Sequence, residues 1–72
     1  MNLRDLRRSR NLSMDAAAML ANVDPSTISR IESGKQRASN ETVVRLSVAL
    51  GIGARRMRTI CDACLPERPV AS

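Results

Sequence analysis

The chain contains no phenylalanine, tyrosine, tryptophan or histidine in 72 residues. Single-stranded nucleic-acid modules and most RNA modules stack bases on aromatic rings, so their absence argues against both classes. Only two cysteines occur, Cys61 and Cys64; with no histidine to help them they cannot complete a tetrahedral zinc site within one chain, and they make no disulfide framework. With no histidine, no glycine-rich phosphate loop and no clustered carboxylates, a nucleophile and its base cannot be assembled. No enzymatic activity, cofactor, metal or small-molecule ligand is therefore expected. No apolar run approaches the length of a membrane span, and the charged start lacks the apolar segment of a secretion signal. Strand alternation, internal repeats and low-complexity segments are also missing.

What remains is small, basic and helical. A chain of 72 residues forms one domain with a small core, which leaves no room for a second domain and a deep cleft between them. The formal charge of +5 favours an anionic partner, nucleic acid before a lipid surface. Arginine supplies nearly all of the positive charge, Lys35 being the only lysine. Double-stranded DNA needs no aromatic platform.

Capping residues divide the chain into five helices. Asn2 caps a first helix running to about Arg10, with Leu3 and Leu6 inward and Asp5 three residues after the cap; Asn11 ends it. Ser13 caps a second over Met14 to Ala21, rich in alanine, and the chain turns sharply at Asn22. Asp24 caps a third that opens on Pro25, where no donor is needed, and stops at Gly34. Ile28 and Ile31 share its buried side, leaving Ser26, Thr27, Ser29 and Arg30 to point outward. Ser39 caps a fourth helix carrying Val43, Leu46, Ala49 and Leu50 at helical spacing, with Gly51 as its stop. A fifth runs from Ala54 to about Leu65, with Met57, Ile60, Cys61 and Cys64 three and four apart. The domain is thus expected over residues 1–65, with a flexible proline-containing tail over 66–72.

Five short helices with a tight turn between the second and third resemble the helix-turn-helix family of phage Cro and lambda-type repressors, the xenobiotic-response-element regulators. The resemblance covers Leu3 to Ile52. It rests on Leu3, Leu6 and Arg7 in the first helix, Leu12-Ser13 before the second, Ala18 within it and Val23 in the turn. It continues through Ile28-Ser29-Arg30-Ile31-Glu32-Ser33-Gly34 in the third helix and Ser39, Glu41-Thr42, Leu46 and Ala49-Leu50-Gly51-Ile52 in the fourth. The chain departs from the family at Met14, where glutamine is frequent, at Asn22, where a turn glycine is usual, at Ala17, where a core leucine is common, and at Ala38, which replaces a frequent proline.

The resemblance implies an all-α, compact five-helix domain of the lambda-repressor-like DNA-binding type, with the helix-turn-helix formed by helices 2 and 3. The third helix would lie in the major groove with Ser26, Thr27 and Arg30 reading bases. Arginine can bind guanine O6 and N7 together, and threonine can offer its methyl group to thymine. Ser13, Met14, Pro25, Ser29, Lys35, Arg37 and Ser39 would meet the DNA backbone. Arg7 and Glu32 are implied to form a structural ion pair between the first and third helices. Arg8, Arg10 and Arg45 are read as solvated charges.

The last helix has a basic side, Arg55, Arg56 and Arg58, and an apolar one. Met57, Ile60, Cys61 and Cys64 are a candidate dimer surface, with Val44 and Val48 as neighbours; the alternative is that Met57 and Ile60 close the monomer core. The cysteines lie near the C-terminal end of a helix, where the dipole disfavours a thiolate, so packing is their expected role. The function expected is that of a sequence-specific regulator of transcription, a Cro-like repressor acting as a homodimer on a palindromic operator. A restriction-system controller, an antitoxin autorepressor and a protein-interaction module on the same fold are the alternatives. Its place would be the cytoplasm of a bacterial cell, or of the host if phage-encoded.

Overall fold

A computed structural model describes residues 1–66; the expected tail, apart from Pro66, lies outside the described residues. These residues form five α-helices and no strand: α1 Leu3–Ser9, α2 Met14–Ala21, α3 Pro25–Glu32, α4 Asn40–Leu50 and α5 Ala54–Asp62.

Side-chain caps begin four of the five. The Asn2 carboxamide accepts the Asp5 N–H at 2.9 Å, Ser13 Oγ accepts Ala16 N–H at 3.0 Å, and Ser39 Oγ accepts Thr42 N–H at 3.2 Å. Asp24 caps α3 by accepting Ser26 N–H at 2.8 Å. Each satisfies one of the donors that a helix start leaves without a partner, a contribution of about 1 kcal/mol per cap. Two asparagines turn the chain by adopting the left-handed conformation, Asn11 at φ 58° after α1 and Asn22 at φ 56° after α2. Asn22 fits where a glycine is usual because its short polar side chain tolerates that region. Gly51, at φ 74°, ends α4.

The fifth helix ends three residues before the expected Leu65. Apolar spacing continues through Cys64, but the backbone tightens: Cys64 N–H bonds the Cys61 carbonyl and Leu65 N–H that of Asp62, the shorter three-residue closure common at helix ends.

α4 lies at the centre, packed against both α2 and α5, while α3 rests on α2 and touches α1. Leu3, Leu6, Ala18, Ile28, Ile31, Val43, Leu46, Leu50 and Met57 belong to one core cluster. Ala17 is buried as well, so the small side chain at this position leaves no exposed gap. No helix of the described residues is long and apolar enough to cross a membrane.

Burial corrects the candidate dimer surface. Met57, Ile60 and Cys61 are 0%, 4% and 2% exposed and belong to the core, and half-buried Cys64 packs against it. Cys64 Sγ accepts the Leu3 N–H at 3.4 Å, so the apolar side of α5 faces the start of α1 and the rest of the chain's own interior. An amphipathic stripe shows that a face is covered; in a core this small, the chain needs that face for itself.

Candidate nucleic-acid interface

The first layer is α3. Ile28 and Ile31 are both fully buried, which fixes the rotation of the helix about its axis. Ser26, Ser29, Arg30 and Ser33 are consequently exposed, and Thr27, on the flank of the buried side, is half-buried. Pro25 is exposed at the first turn. Among the described residues the ion pairs occupy Arg4, Arg7, Arg37, Arg45 and Arg58, and none involves Arg30. Its guanidinium is therefore open to an external acceptor.

Ser26 is more constrained than its exposure implies. Its hydroxyl donates to Asp24 Oδ1 at 2.7 Å. With the donor so used, the oxygen offers only its lone pairs outward. The same bond, followed by the Ser26 N–H bond, holds the Asp24 carboxyl below the usual carboxylate range; the nearby Arg30 charge acts in the same direction more weakly.

The second layer is the loop from Ser33 to Ser39 and the start of α4. Gly34, at φ 78°, turns the chain out of α3, with Lys35 N–H bonded to the Arg30 carbonyl at 2.9 Å. A side chain at this position would meet the Cys64 carbonyl oxygen at 2.6 Å, so the close approach as well as the left-handed backbone requires glycine. Lys35, Arg37 and Ser39 are all exposed. Arg37, Ala38, Ser39, Asn40 and Arg58 line a cleft of about 410 Å³ beside the start of α4. The structure thus brings Arg37 and Ser39 together. Ser13 and Met14 are exposed at the start of α2, with the Ser13 hydroxyl engaged as a cap.

Three arginines that spacing alone does not single out hold this framework. Arg45 donates to the Asn22 carbonyl at 2.8 Å, closing the turn between α2 and α3, and pairs with Glu41 at 2.8 Å. Arg10 donates to the Leu50 carbonyl at 3.2 Å. Arg58 donates to the Ala38 carbonyl at 2.6 Å and to Asn40 Oδ1 at 2.8 Å. Arg45 and Arg10 are therefore bonded to the chain and are not free solvated charges; Arg55 and Arg56 are exposed. A cation bound to a distant carbonyl leaves no periodic trace in a sequence, and Arg45 and Arg58 each also have a carboxylate four residues away, Glu41 and Asp62, which masks the longer-range bond.

Beneath these layers Arg7 binds Glu32 through two contacts, Nε to Oε2 at 2.7 Å and Nη2 to Oε1 at 3.1 Å. Arg4 adds a longer contact to Glu32 at 3.8 Å. Cys61 is a packing residue whose thiol burial, with Cys64 second, pushes it up to about 11. A thiol raised this far stays in its neutral form near neutral pH, the weaker nucleophile.

The sequence model of a helix-turn-helix family matches residues 3–56. The chain belongs to this family, the helix-turn-helix proteins of Cro and lambda-repressor type. It is a DNA-binding regulator, with α2 and α3 as the helix-turn-helix. No curated protein and no solved structure matches it.

Proposed function

We propose that this chain is a Cro-like repressor that places α3 in the major groove of a palindromic operator, with Ser26, Thr27 and Arg30 toward the base edges. One observation carries the reading: α3 has its two isoleucines fully buried and presents Arg30 outward, outside the ion-pair network of the described residues. A bidentate arginine–guanine contact contributes about 1–3 kcal/mol of discrimination. Thr27 supplies a methyl group or a hydroxyl. Ser26, its proton held by Asp24, acts as an acceptor toward a cytosine or adenine amino group.

Ser13, Met14, Pro25, Ser29, Lys35, Arg37 and Ser39 form the backbone-contacting rim, which orients the helix without reading sequence. Met14 has no hydrogen-bonding group in its side chain, so its contribution there is apolar contact and its own backbone N–H. A single helix of this size spans too few base pairs for genomic selectivity, and a second copy on an inverted half-site doubles the contact. With α5 used internally, Val44 and Val48, exposed by 51% and 78% and one turn apart on α4, are assigned to that second copy, Met19 and Leu20 of α2 being other exposed apolar side chains.

Selection of bound duplexes from a random library tests this reading. The expected product is two inverted half-sites with centres about 10 base pairs apart. Steeply salt-dependent binding with no enriched sequence overturns it.

A further inference from the structure

The loop between α3 and α4 carries Lys35 and Arg37, yet it has no regular structure of its own. A flexible loop delivers its charges to a phosphate only at the entropic cost of ordering them. One side chain from outside the helix-turn-helix removes part of that cost. Arg58 sits next to Met57, which is fully buried in the core, so its stem rises from a rigid base. Its planar guanidinium then spans two points on either side of Ser39: Nη1 donates to the Ala38 carbonyl at 2.6 Å and Nη2 to Asn40 Oδ1 at 2.8 Å. Asp62, one turn along α5, takes Arg58 at 3.4 Å and Arg37 at 3.6 Å on the same oxygen.

We propose that Arg58 is a positioning residue for the backbone-contacting rim, clamping the residues before and after Ser39 so that Arg37 and the start of α4 are pre-set for phosphate. The proposal rests on the reading of the chain as a DNA-binding repressor and extends it by giving α5 a role at the DNA side of the domain. Arg58 acts through Ala38 and Asn40 and does not itself bind the phosphate. Lysine, with a single point charge in place of the fork, can hold only one of the two anchors well.

The test is a cycle on the full chain with Arg58→Met, which keeps the apolar stem and removes the donors, and Arg37→Gln. Binding to the selected duplex is titrated at several salt concentrations, with folding of each variant checked by thermal melting. Arg58→Met is expected to weaken binding about tenfold, and Arg37→Gln is expected to cost about fivefold in the wild-type background and under twofold beside Arg58→Met. The slope of log K against log salt should fall by about one in each single variant and by about one, not two, in the double variant. Arg58→Lys should recover part of the loss.

Unchanged affinity in Arg58→Met, additive losses, or a slope that falls by about two in the double variant overturns the proposal. If Arg58→Met does not fold, Asn40→Ala removes the second anchor alone and should show the same non-additivity with Arg37→Gln; additivity there overturns the proposal too. Failure of the wild-type chain to bind any duplex overturns the repressor reading and this proposal together. Wild-type binding with additive variants overturns this proposal alone.

Discussion

Arg7 and Glu32 meet through two hydrogen bonds with Arg7 8% exposed, and the same guanidinium donates to the Leu12 carbonyl at 2.8 Å. Glu32 closes α3 and Arg7 lies in α1, while Leu12 precedes α2. One side chain therefore ties together three segments of the domain. The carboxylate holds Arg7 charged, the hydrogen bond that Arg7 donates to Glu32 being the main cause of its raised pKa against a smaller opposing effect of burial.

Removing Glu32 leaves Arg7 nearly buried without a carboxylate, and removing Arg7 leaves nearly buried Glu32 with only the longer contact to Arg4. Arg7→Ala and Glu32→Ala should each lose about 3–5 kcal/mol of stability, a large share of what so small a domain has. Urea denaturation measures it. The paired change Arg7→Met with Glu32→Leu should lose much less than the sum, because no charge is stranded; additive losses would contradict the geometry.

Asp24 makes stability depend on pH. Its folded-state pKa is lowered, chiefly by the Ser26 hydroxyl, so the contribution of this cap is present above the unfolded carboxylate pKa and is lost as pH falls through the folded value. Asp24→Asn caps the helix without titrating. Between about pH 6 and about pH 2 this variant should lose less stability than wild type, read from urea midpoints at each pH. Parallel curves for the two proteins would contradict it.

Gly34 should tolerate no side chain. Gly34→Ala combines a left-handed backbone with the contact at 2.6 Å to the Cys64 carbonyl. About 2–4 kcal/mol of destabilisation is expected, seen as a lowered Tm. Gly51→Ala is the control: it shares the positive φ, but a side chain there meets nothing within 4 Å, so it should lose only the smaller backbone part. Equal losses at both positions would show that the Cys64 contact contributes nothing.

Arg30 and Lys35 should separate by type of effect. Arg30→Ala should leave Tm unchanged and relax preference at one base pair by about 1–3 kcal/mol. Lys35→Ala should weaken binding to all sequences alike and lower the salt slope by about one. Parallel titrations against the selected duplex and single-base variants distinguish the two.

Helix boundaries were legible because capping chemistry is local. Asn2, Ser13, Asp24 and Ser39 stand where a free donor must be met within three residues, and each does so in the structure. The rotation of α3 followed from Ile28 and Ile31 alone. The end of α5 was less legible, since apolar spacing runs on through Cys64 after the backbone has tightened. Periodicity also gave no partner for Met57, Ile60 and Cys61. It marks a covered face without saying whether another helix of the same chain or a second copy covers it. Arg45 and Arg58 were least legible: their acceptors, the carbonyls of Asn22 and Ala38, lie 23 and 20 residues away, and every residue has a carbonyl.

The exposed side of α3 is the side expected to face DNA. Amide chemical-shift mapping of the isotope-labelled chain, on addition of the selected duplex, tests it without presuming which bases are read. The largest shifts are expected over Ser26 to Ser33 and from Lys35 to Glu41, with α5 beyond Arg58 little changed. Shifts centred on Val44 and Val48, with α3 unperturbed, would contradict it.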